Sequence, residues 1–584
     1  MTNKTIAEIV STHTRETSHR DNDYFSGISR LLSLLPPENE PLAEEQIKIA
    51  LGLLYDKIHD EIFNNSGKPT SRISFGTSGW RGILGKDIFC RSVSGVTAAI
   101  LSLYRDAANQ PELQKALGVK DFSEMQQRGC VIGFDNRFGG PDLALSAINV
   151  LAGNGVKVFY AGEATTGCLS ASVLIHQAAF SINLTPSHNP LQYGGFKYNA
   201  ADAGPAAPIL TNGITERANA IIETNSSNFI TDQEAPPLPL DQLDNIIRIN
   251  ALDDWKELVS RNQPVHGLDY KKIINAFDDE SDLCVVIDSV HGASRKDIPA
   301  FFNNHRDNRL TLLRGNTDVT FGGIAPEPSS KNLQPVLSAL AQRKEGLKLG
   351  AIIDPDGDRI RFTDGTTEIT MNQFGAMAYH FLHEIKGKKG MVAKTVATSN
   401  LANAVARGLG EDIFEPKVGF KEFKPVLGKA LVFFEESDGI SIIGHTPEKD
   451  AYIGLLLALD MVLTTKKNLT EYLREIEARY GAYFPDRDGV TVSQKGGELL
   501  DTLSRLDRYQ KGSQVIINGK PKRIDSVITI DGRKMIFEDG SWIMIRPSGT
   551  EPKVRFYVEA RNQEETKQLV EAAKSMLAEI GLLS

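Results

Sequence analysis

Cysteine is scarce in this chain: Cys90, Cys130, Cys168 and Cys284 are the only four in 584 residues. No CxxC or Cys/His spacing links them, which excludes a disulfide framework or zinc ribbon and fits a reducing compartment. Basic excess is missing as well. Lys and Arg total 65 against 74 Asp and Glu, a net charge of −9. A nucleic-acid backbone, which demands a basic stripe for counterion release, is therefore not an expected partner, and any anionic ligand must find a local basic pocket. Long apolar runs are lacking too. The greasiest, Ile453 to Leu463, is broken by Asp460, and the opening MTNKTIAEIVSTHTRE has no continuous apolar core of the secretory type. No membrane partner is expected, and the expected location is cytoplasmic.

The 41% hydrophobic and 24% charged contents are those of an ordinary globular chain, and its length suggests roughly four domains. In the first seventy residues, Leu42 to Phe63 carries Ile47, Leu51, Leu54, Ile58 and Ile62 at three- and four-residue steps. That spacing predicts an amphipathic helix. The extension reads as structural, with an oligomer contact as one use for it; the chain is expected to be a monomer or small homo-oligomer.

Beyond the extension a pattern recurs three times. An apolar strand opens each unit, at CVIGFDNR from Cys130, CVVIDSVHG from Cys284 and GMVAKTVATSN from Gly390. A second strand follows, at VKVFYAG (156–162), LTLLRGN (310–316) and DIFEPKVG (412–419). The third strands, AFSINLTPSHNP, LGAIIDPDGDR and LVFFEESDG, each run straight into a polar loop. Loops at the carboxyl ends of strands collect ligands in open α/β sheets. We therefore expect three related α/β domains, each giving one loop to a shared central cleft. The last hundred residues differ, with alternating SVITI and KVRFYVEA and a closing helix after Asn562, the pattern of a separate α+β domain. Expected bounds are 1–70 for the helical extension, 71–240, 241–368 and 369–486 for the three α/β domains, and 487–584 for the fourth. Ala200 to Asn212 and Ser226 to Pro239 lack periodicity and read as surface connections.

Four loops carry the chemistry: FGTSGWRG at 75–82, TPSHNP at 185–190, DPDGDR at 354–359 and RPSGTEPK at 546–553. In DPDGDR, Asp354, Asp356 and Asp358 alternate with Pro355 and Gly357, a turn that aims three carboxylates at one centre, as a hard cation such as magnesium requires. An EF-hand starting at Asp354 fails, because Arg359 stands where that loop needs glycine and Gly365 where it needs a bidentate glutamate. Ser187 has no GxSxG setting; it sits in a turn restricted by Pro186 and Pro190. RPSGTEPK offers the Arg546 guanidinium, two hydroxyls and a glycine-permitted backbone nest for phosphate, with Arg555 close behind. In FEESDG, Glu435 and Ser437 offer an acceptor and a donor for adjacent sugar hydroxyls. Lys449 of PEKD and Lys197 of GGFKY are ordinary lysines when read alone.

In this order the four loops resemble those of the α-D-phosphohexomutase family, and the resemblance spans roughly residues 71–584. It implies three similar α/β domains with mixed sheets plus a smaller C-terminal α+β domain around a cleft. It implies further that Ser187 carries a phosphoryl group, that Asp354, Asp356 and Asp358 bind Mg²⁺ together with that phosphoserine, and that Arg359 contacts the transferring group. By the same resemblance Arg81 of GTSGWRG steadies the phosphoserine, while His188 and Lys197 assist proton transfer. Glu435 and Ser437 match the sugar loop, with Gly419 of KVGFK and Lys449 nearby. Arg546, Ser548, Gly549, Thr550 and Arg555 match the phosphate site. Pro186, Phe434 and Asp438 depart from common family residues, and these departures bear on which hexose is preferred.

The activity so implied is interconversion of glucose 1-phosphate and glucose 6-phosphate through a phosphoserine and glucose 1,6-bisphosphate, which also serves as activator. A phosphomannomutase or dual-specificity phosphohexomutase is the alternative, with glucosamine and pentose phosphates as other mutase substrates. A metal-dependent sugar phosphatase is a further reading, but hydrolysis has no need for a second phosphate site. A silent sugar-phosphate-binding protein has no need for an intact serine and aspartate triad.

Overall fold

A computed structural model describes residues 3–15, 18–35, 41–76, 79–230, 237–305, 307–548 and 553–583. The chain falls into two compact units, one formed by 1–258, 286–336 and 352–358 and the other by 259–285, 337–351 and 359–584.

The first unit begins with three helices, α1 (Asn3–His13), α2 (Tyr24–Leu32) and α3 (Pro41–Asn64). On α3 the residues Ile47, Leu54, Ile58 and Ile62 are fully buried, in one continuous core with the first sheet. Burial of each such side chain contributes roughly 1.5–3 kcal/mol. This helical layer therefore packs onto the body of its own chain along the predicted face.

The first sheet contains β1 (Phe75–Gly76), β2 (Gly79–Ile83), β3 (Cys130–Phe134), β4 (Val158–Glu163), β5 (Phe180–Leu184), β6 (Tyr193–Ala200) and β7 (Ile246–Arg248). Their order is β1-β2-β6-β5-β3-β4-β7. β5, β3, β4 and β7 run parallel, whereas β1, β2, β6 and β5 pair antiparallel. Every residue of β3 and β5 is buried, because helices cover both faces of a parallel sheet; β3 is apolar throughout, whereas β5 also buries Ser181 and Asn183. The helix α4 (Cys90–Asp106) supplies Val93, Val96, Ile100 and Tyr104 to that cover.

The stretch Ala200 to Asn212 is not the surface connection its composition suggests. Ala203 and Ala206 are buried, Asn199 pairs with Pro205 in an isolated bridge, and a helix starts at Pro208. Small residues here allow close packing that lacks any period for sequence reading to detect. In the other predicted connection, Ser226 to Pro239, residues 231–236 lie outside the described residues.

The second sheet comprises β8 (Leu283–Asp288), β9 (Leu310–Leu313), β10 (Leu347–Ile353), β11 (Ile360–Thr363) and β12 (Glu368–Ile369), ordered β12-β11-β10-β8-β9. The third comprises β13 (Met391–Lys394), β14 (Ile413–Phe414), β15 (Ala430–Glu435) and β16 (Gly439–Ile442), ordered β14-β13-β15-β16. In all three sheets the first strand of the sequence repeat lies between the second and the third. The polar loop after the third strand leads into a neighbouring strand, β6, β11 or β16. Thus TPSHNP, DPDGDR and the FEESDG turn occupy one topological position.

The last domain is a six-stranded antiparallel sheet, built from β17 (Phe484–Thr491), β18 (Gln514–Ile517), β19 (Lys520–Ile528), β20 (Arg533–Phe537), β21 (Trp542–Pro547) and β22 (Lys553–Ala560). Its order is β17-β22-β21-β20-β19-β18. The closing helix Gln563–Glu579 lays Leu569, Ala573, Met576 and Leu577 on it, and RPSGTEPK joins β21 to β22. The architecture is thus three mixed α/β domains followed by a C-terminal antiparallel domain. Among the described residues no helix is long and apolar enough to cross a membrane.

Candidate active site

In the first unit Ser187 sits just beyond β5 with φ of 58°, a left-handed conformation that a non-glycine residue holds only when its surroundings fix it. They do so here. The Ser187 N–H donates to Thr185 Oγ1 at 2.8 Å, and Thr185 in turn donates to Asp135 Oδ2 at 2.7 Å. Arg137 holds the turn from another side, donating to the carbonyls of Ser187 (2.8 Å), Asn189, Pro190 (2.8 Å) and Tyr193 (3.4 Å). Gly195 of β6 completes the fit: a Cβ there would come within 2.3 Å of the Thr185 carbonyl oxygen.

The Ser187 hydroxyl is fully buried and donates to Asp354 Oδ2 at 2.8 Å, with Asp358 Oδ1 at 3.4 Å and His188 Nδ1 at 3.3 Å. The serine loop and the aspartate loop therefore meet within one compact unit. Lys197, from β6, sets its ammonium 2.5 Å from Asp356 Oδ2 and 2.8 Å from Asp358 Oδ2. Thr166 donates to the same Asp356 oxygen at 2.8 Å, and Asn183 donates to Thr166 at 2.9 Å. Gly357, at φ +63°, can only be glycine: a Cβ would meet Thr165 Cγ2 at 2.6 Å. Arg81 pairs in register with Gly195.

Three carboxylates gather here at 0–2% exposure, a concentration of buried like charge that a bound cation would offset. Their ligand oxygens lie within 4.8 Å of one another, and Asp356 Oδ1 is buried without a hydrogen-bond partner. This all-oxygen donor set fits a hard divalent cation.

Two groups of this site escaped the sequence reading. Arg137 and Asp135 lie in DNRFGG, immediately after the first strand of the first repeat, and neither residue looks special in one dimension. Burial lifts Asp135 to about 6 despite the neighbouring Arg137. Burial also lowers Arg137 to about 10, against the opposing pull of Asp135 and Asp356, and the charge of Arg81 adds to the lowering. The available signal was position alone, since the carboxyl end of a parallel strand is where functional loops gather.

In the second unit, β15 and β16 form a hairpin with Glu435 opposite Gly439. Ser437 donates to Glu435 Oε1 at 2.7 Å, and Lys449 Nζ stands 3.6 Å from the same oxygen. Gly439 is needed for this approach, because a Cβ would overlap Lys449 Cδ at 2.2 Å. Asp438 turns through φ of 72° and is fixed by Arg361 at 2.6 and 3.2 Å. Phe434 points into the core, where its ring leaves no room for a Cβ on Gly375. That departure from the family pattern is accommodated by core packing.

Arg546 and Arg555 are register partners on β21 and β22. Asp531, in the β19–β20 turn, lies 3.0 Å from Arg546 Nε and accepts from the Val418 N–H at 2.9 Å. One carboxylate thereby ties the loop carrying Gly419 to the arginine pair. Ser548 donates its N–H to the Lys553 carbonyl at 2.8 Å. Gly549 and Thr550 lie outside the described residues. Arg359, half-buried, is the first residue of its segment of this second unit.

Comparison with known proteins bears on most of the chain. Models of phosphoglucomutase/phosphomannomutase domains match in chain order: domain I over residues 72–225, domain II over 269–367, domain III over 370–480 and the C-terminal domain over 467–575. A phosphoglucomutase/phosphomannomutase of Thermococcus kodakarensis is 24% identical over 522 residues, covering 86% of this chain and 98% of the relative. Among solved structures, parafusin, a phosphoglucomutase from Paramecium, superposes with a TM-score of 0.66 at 18% identity, covering 88% of this chain and 96% of its own. The N-acetylphosphoglucosamine mutase of Aspergillus fumigatus, solved with GlcNAc-6P and magnesium, reaches 0.50 at 14% identity and covers 90% and 99% of the two chains. With four domain models matched in order along it, and with a buried serine and aspartate-triad site, the chain belongs to the phosphoglucomutase/phosphomannomutase family of α-D-phosphohexomutases and is an isomerase, an intramolecular phosphotransferase acting on sugar phosphates.

Proposed function

We propose that this enzyme is a phosphoglucomutase, interconverting glucose 1-phosphate and glucose 6-phosphate through a phosphoserine at Ser187 and a glucose 1,6-bisphosphate intermediate that also primes it. The observation that carries this reading is the 2.8 Å bond from the Ser187 hydroxyl to Asp354 in a buried, rigid turn. A serine so held can accept a phosphoryl group with little reorganisation.

Asp354, Asp356 and Asp358, with the phosphorylated Ser187, would hold Mg²⁺. When bound, the ion offsets charge on the phosphoryl oxygens. Transfer breaks the bond between phosphorus and Ser187 Oγ and forms one to a sugar hydroxyl. That hydroxyl loses its proton to a neighbouring base, for which His188, 3.3 Å from Ser187 Oγ, is the assigned group, assisted by Lys197. Arg81 and Arg359 steady the moving group. The bisphosphate then reorients and returns its other phosphate to Ser187, so the net reaction is isomerisation.

Glu435 and Ser437, backed by Lys449 and the Gly419 loop, are assigned to the sugar hydroxyls. Arg546, Ser548, Gly549, Thr550 and Arg555 are assigned to the phosphate that is not reacting. The working domain bounds are 71–240, 241–368, 369–486 and 487–584, and the protein is taken to act in the cytoplasm. A coupled assay with glucose 1-phosphate, Mg²⁺ and a trace of glucose 1,6-bisphosphate, beside mannose 1-phosphate, tests the reading. Rapid formation of glucose 6-phosphate supports it. A clear preference for mannose 1-phosphate makes the enzyme a phosphomannomutase, and free phosphate without isomerisation makes it a phosphatase.

A further inference from the structure

The family models begin at residue 72, so α1 to α3 have no part in the matched domains. Their contacts nevertheless converge on one place. The Tyr55 ring of α3 packs on Phe138 with centroids 4.7 Å apart, and His59 meets the same ring edge-on at 6.4 Å. One residue further, Ile62 Cδ1 fills the space a Cβ on Gly139 would need, at 2.8 Å. His59 also lies 3.4 Å from Asp142. The turn so gripped, 135–140, contains Arg137, whose guanidinium holds four carbonyls of the Ser187 turn.

A second set of contacts reaches Arg137 through residues 318–323. Its guanidinium lies 4.8 Å from the Phe321 ring centroid, and Asn136 donates to the Asp318 carbonyl at 3.3 Å. On α2, Leu32 Cβ stands 3.6 Å from where Gly323 would carry its own Cβ. Burial, and the nearby charge of Asp318, raise the Tyr55 hydroxyl above its usual range, as expected for a ring wedged beside this loop. Core packing transmits displacement because it has few voids to absorb it.

We infer that the N-terminal helical layer is a positioning element for the reacting serine, acting through Tyr55, Phe138 and Arg137 on the Ser187 turn. Tyr55 is then a positioning residue that touches no substrate. The inference rests on the assignment of Ser187 as the phosphoryl acceptor.

Full-length Tyr55→Ala, Tyr55→Leu and Tyr55→Phe are compared with Ile47→Ala, which removes a buried α3 side chain at the other end of the helix. Two quantities are measured: hydrogen exchange of peptides covering 185–193, and kcat and KM for glucose 1-phosphate. Tyr55→Ala is expected to raise exchange in that segment about tenfold. It should lower kcat about tenfold with KM changed less than about twofold, as a misplaced reacting group would. Tyr55→Phe should match wild type in both, and Tyr55→Leu should lie between. Ile47→Ala should lower Tm without either local effect. If Tyr55→Ala and Tyr55→Leu follow Ile47→Ala, with lower Tm but unchanged exchange at 185–193 and unchanged kcat, the inference is overturned. If wild type fails to isomerise any sugar phosphate while Tyr55→Ala still loosens 185–193, the mutase reading falls and the mechanical support stands.

Discussion

The loops around Ser187 and those around Glu435 and Arg546 are built on different principles. In the first unit the polar groups are buried and bonded chiefly to one another: serine to aspartate, lysine to two aspartates, and arginine to four backbone carbonyls. In the second, Glu435 and Lys449 are buried and paired as well, but Ser437, Arg546, Ser548 and Arg555 remain partly exposed. The contrast follows from the tasks assigned. Phosphoryl transfer gains from groups fixed before substrate arrives, since preorganisation avoids reorganisation cost in the transition state. A binding surface that must accept the same sugar phosphate in two orientations gains from polar groups still open to a ligand.

The largest effect that would test this contrast is Ser187→Ala. Its turn is set by backbone bonds and by Arg137 rather than by the hydroxyl, so the variant is expected to fold normally and lose all turnover. Circular dichroism beside the mutase assay checks both halves, and near-normal activity would remove Ser187 from the reaction.

Next comes Arg137→Ala, which releases the four carbonyls it grips and leaves Asp135 buried beside an empty place. We expect kcat to fall about 100-fold with KM little changed, because the residue orders the reacting turn and binds no substrate. Arg137→Lys should fail to restore kcat, since one ammonium cannot span a fork-shaped set of acceptors. A rise in KM at constant kcat would instead make Arg137 part of the binding surface.

The two regions also differed in how far they could be read in advance. The three-strand repeat was visible because buried parallel strands are predominantly apolar, and DPDGDR was visible because all its ligands lie within five residues. Arg137 was not visible, as the four carbonyls it holds lie fifty and more positions away and only folding brings them together. Asp531 stayed hidden for the same reason: IDGRK reads as a hairpin turn until Val418 and Arg546 converge on its carboxylate. Ala203 and Ala206 carried no period to betray their burial. What the sequence displays is chemistry local to one loop; the supports that hold a loop in place come from elsewhere in the chain.

On the binding side, Arg546→Ala should act on substrate retention. Loss of a charged hydrogen bond to phosphate corresponds to about 1.5–3 kcal/mol, read chiefly as higher KM with a smaller change in kcat. Asp531→Asn sharpens the point, because it keeps the shape of the side chain but removes the charge that orients Arg546. Its KM should rise less than that of Arg546→Ala. If both KM values equal wild type, this arginine pair is not the distal phosphate site.

The smallest effect concerns a place where the second unit is as preorganised as the first. Glu415 lies 3.2 Å from Lys394 Nζ and 3.4 Å from Lys534 Nζ, and Lys534 stacks 4.0 Å over the Trp542 ring. Burial pushes the Glu415 carboxyl up, but the two lysines overcome it and hold it down at about 2. Burial lowers Lys534 to about 8, and the charge of Lys394 adds to this against the opposing pull of Glu415 and Glu559. A carboxyl depressed from its ordinary 4.5 binds fewer protons folded than unfolded across that interval. Its contribution to stability is therefore present above pH 4.5 and is lost as pH falls toward 2. Glu415→Gln should flatten the decline of Tm over that window while lowering Tm at pH 7, where two buried lysines would lose a shared counter-charge. An unchanged slope would mean that Glu415 titrates alike in the folded and unfolded chains, so that the two lysines do not hold its carboxyl down.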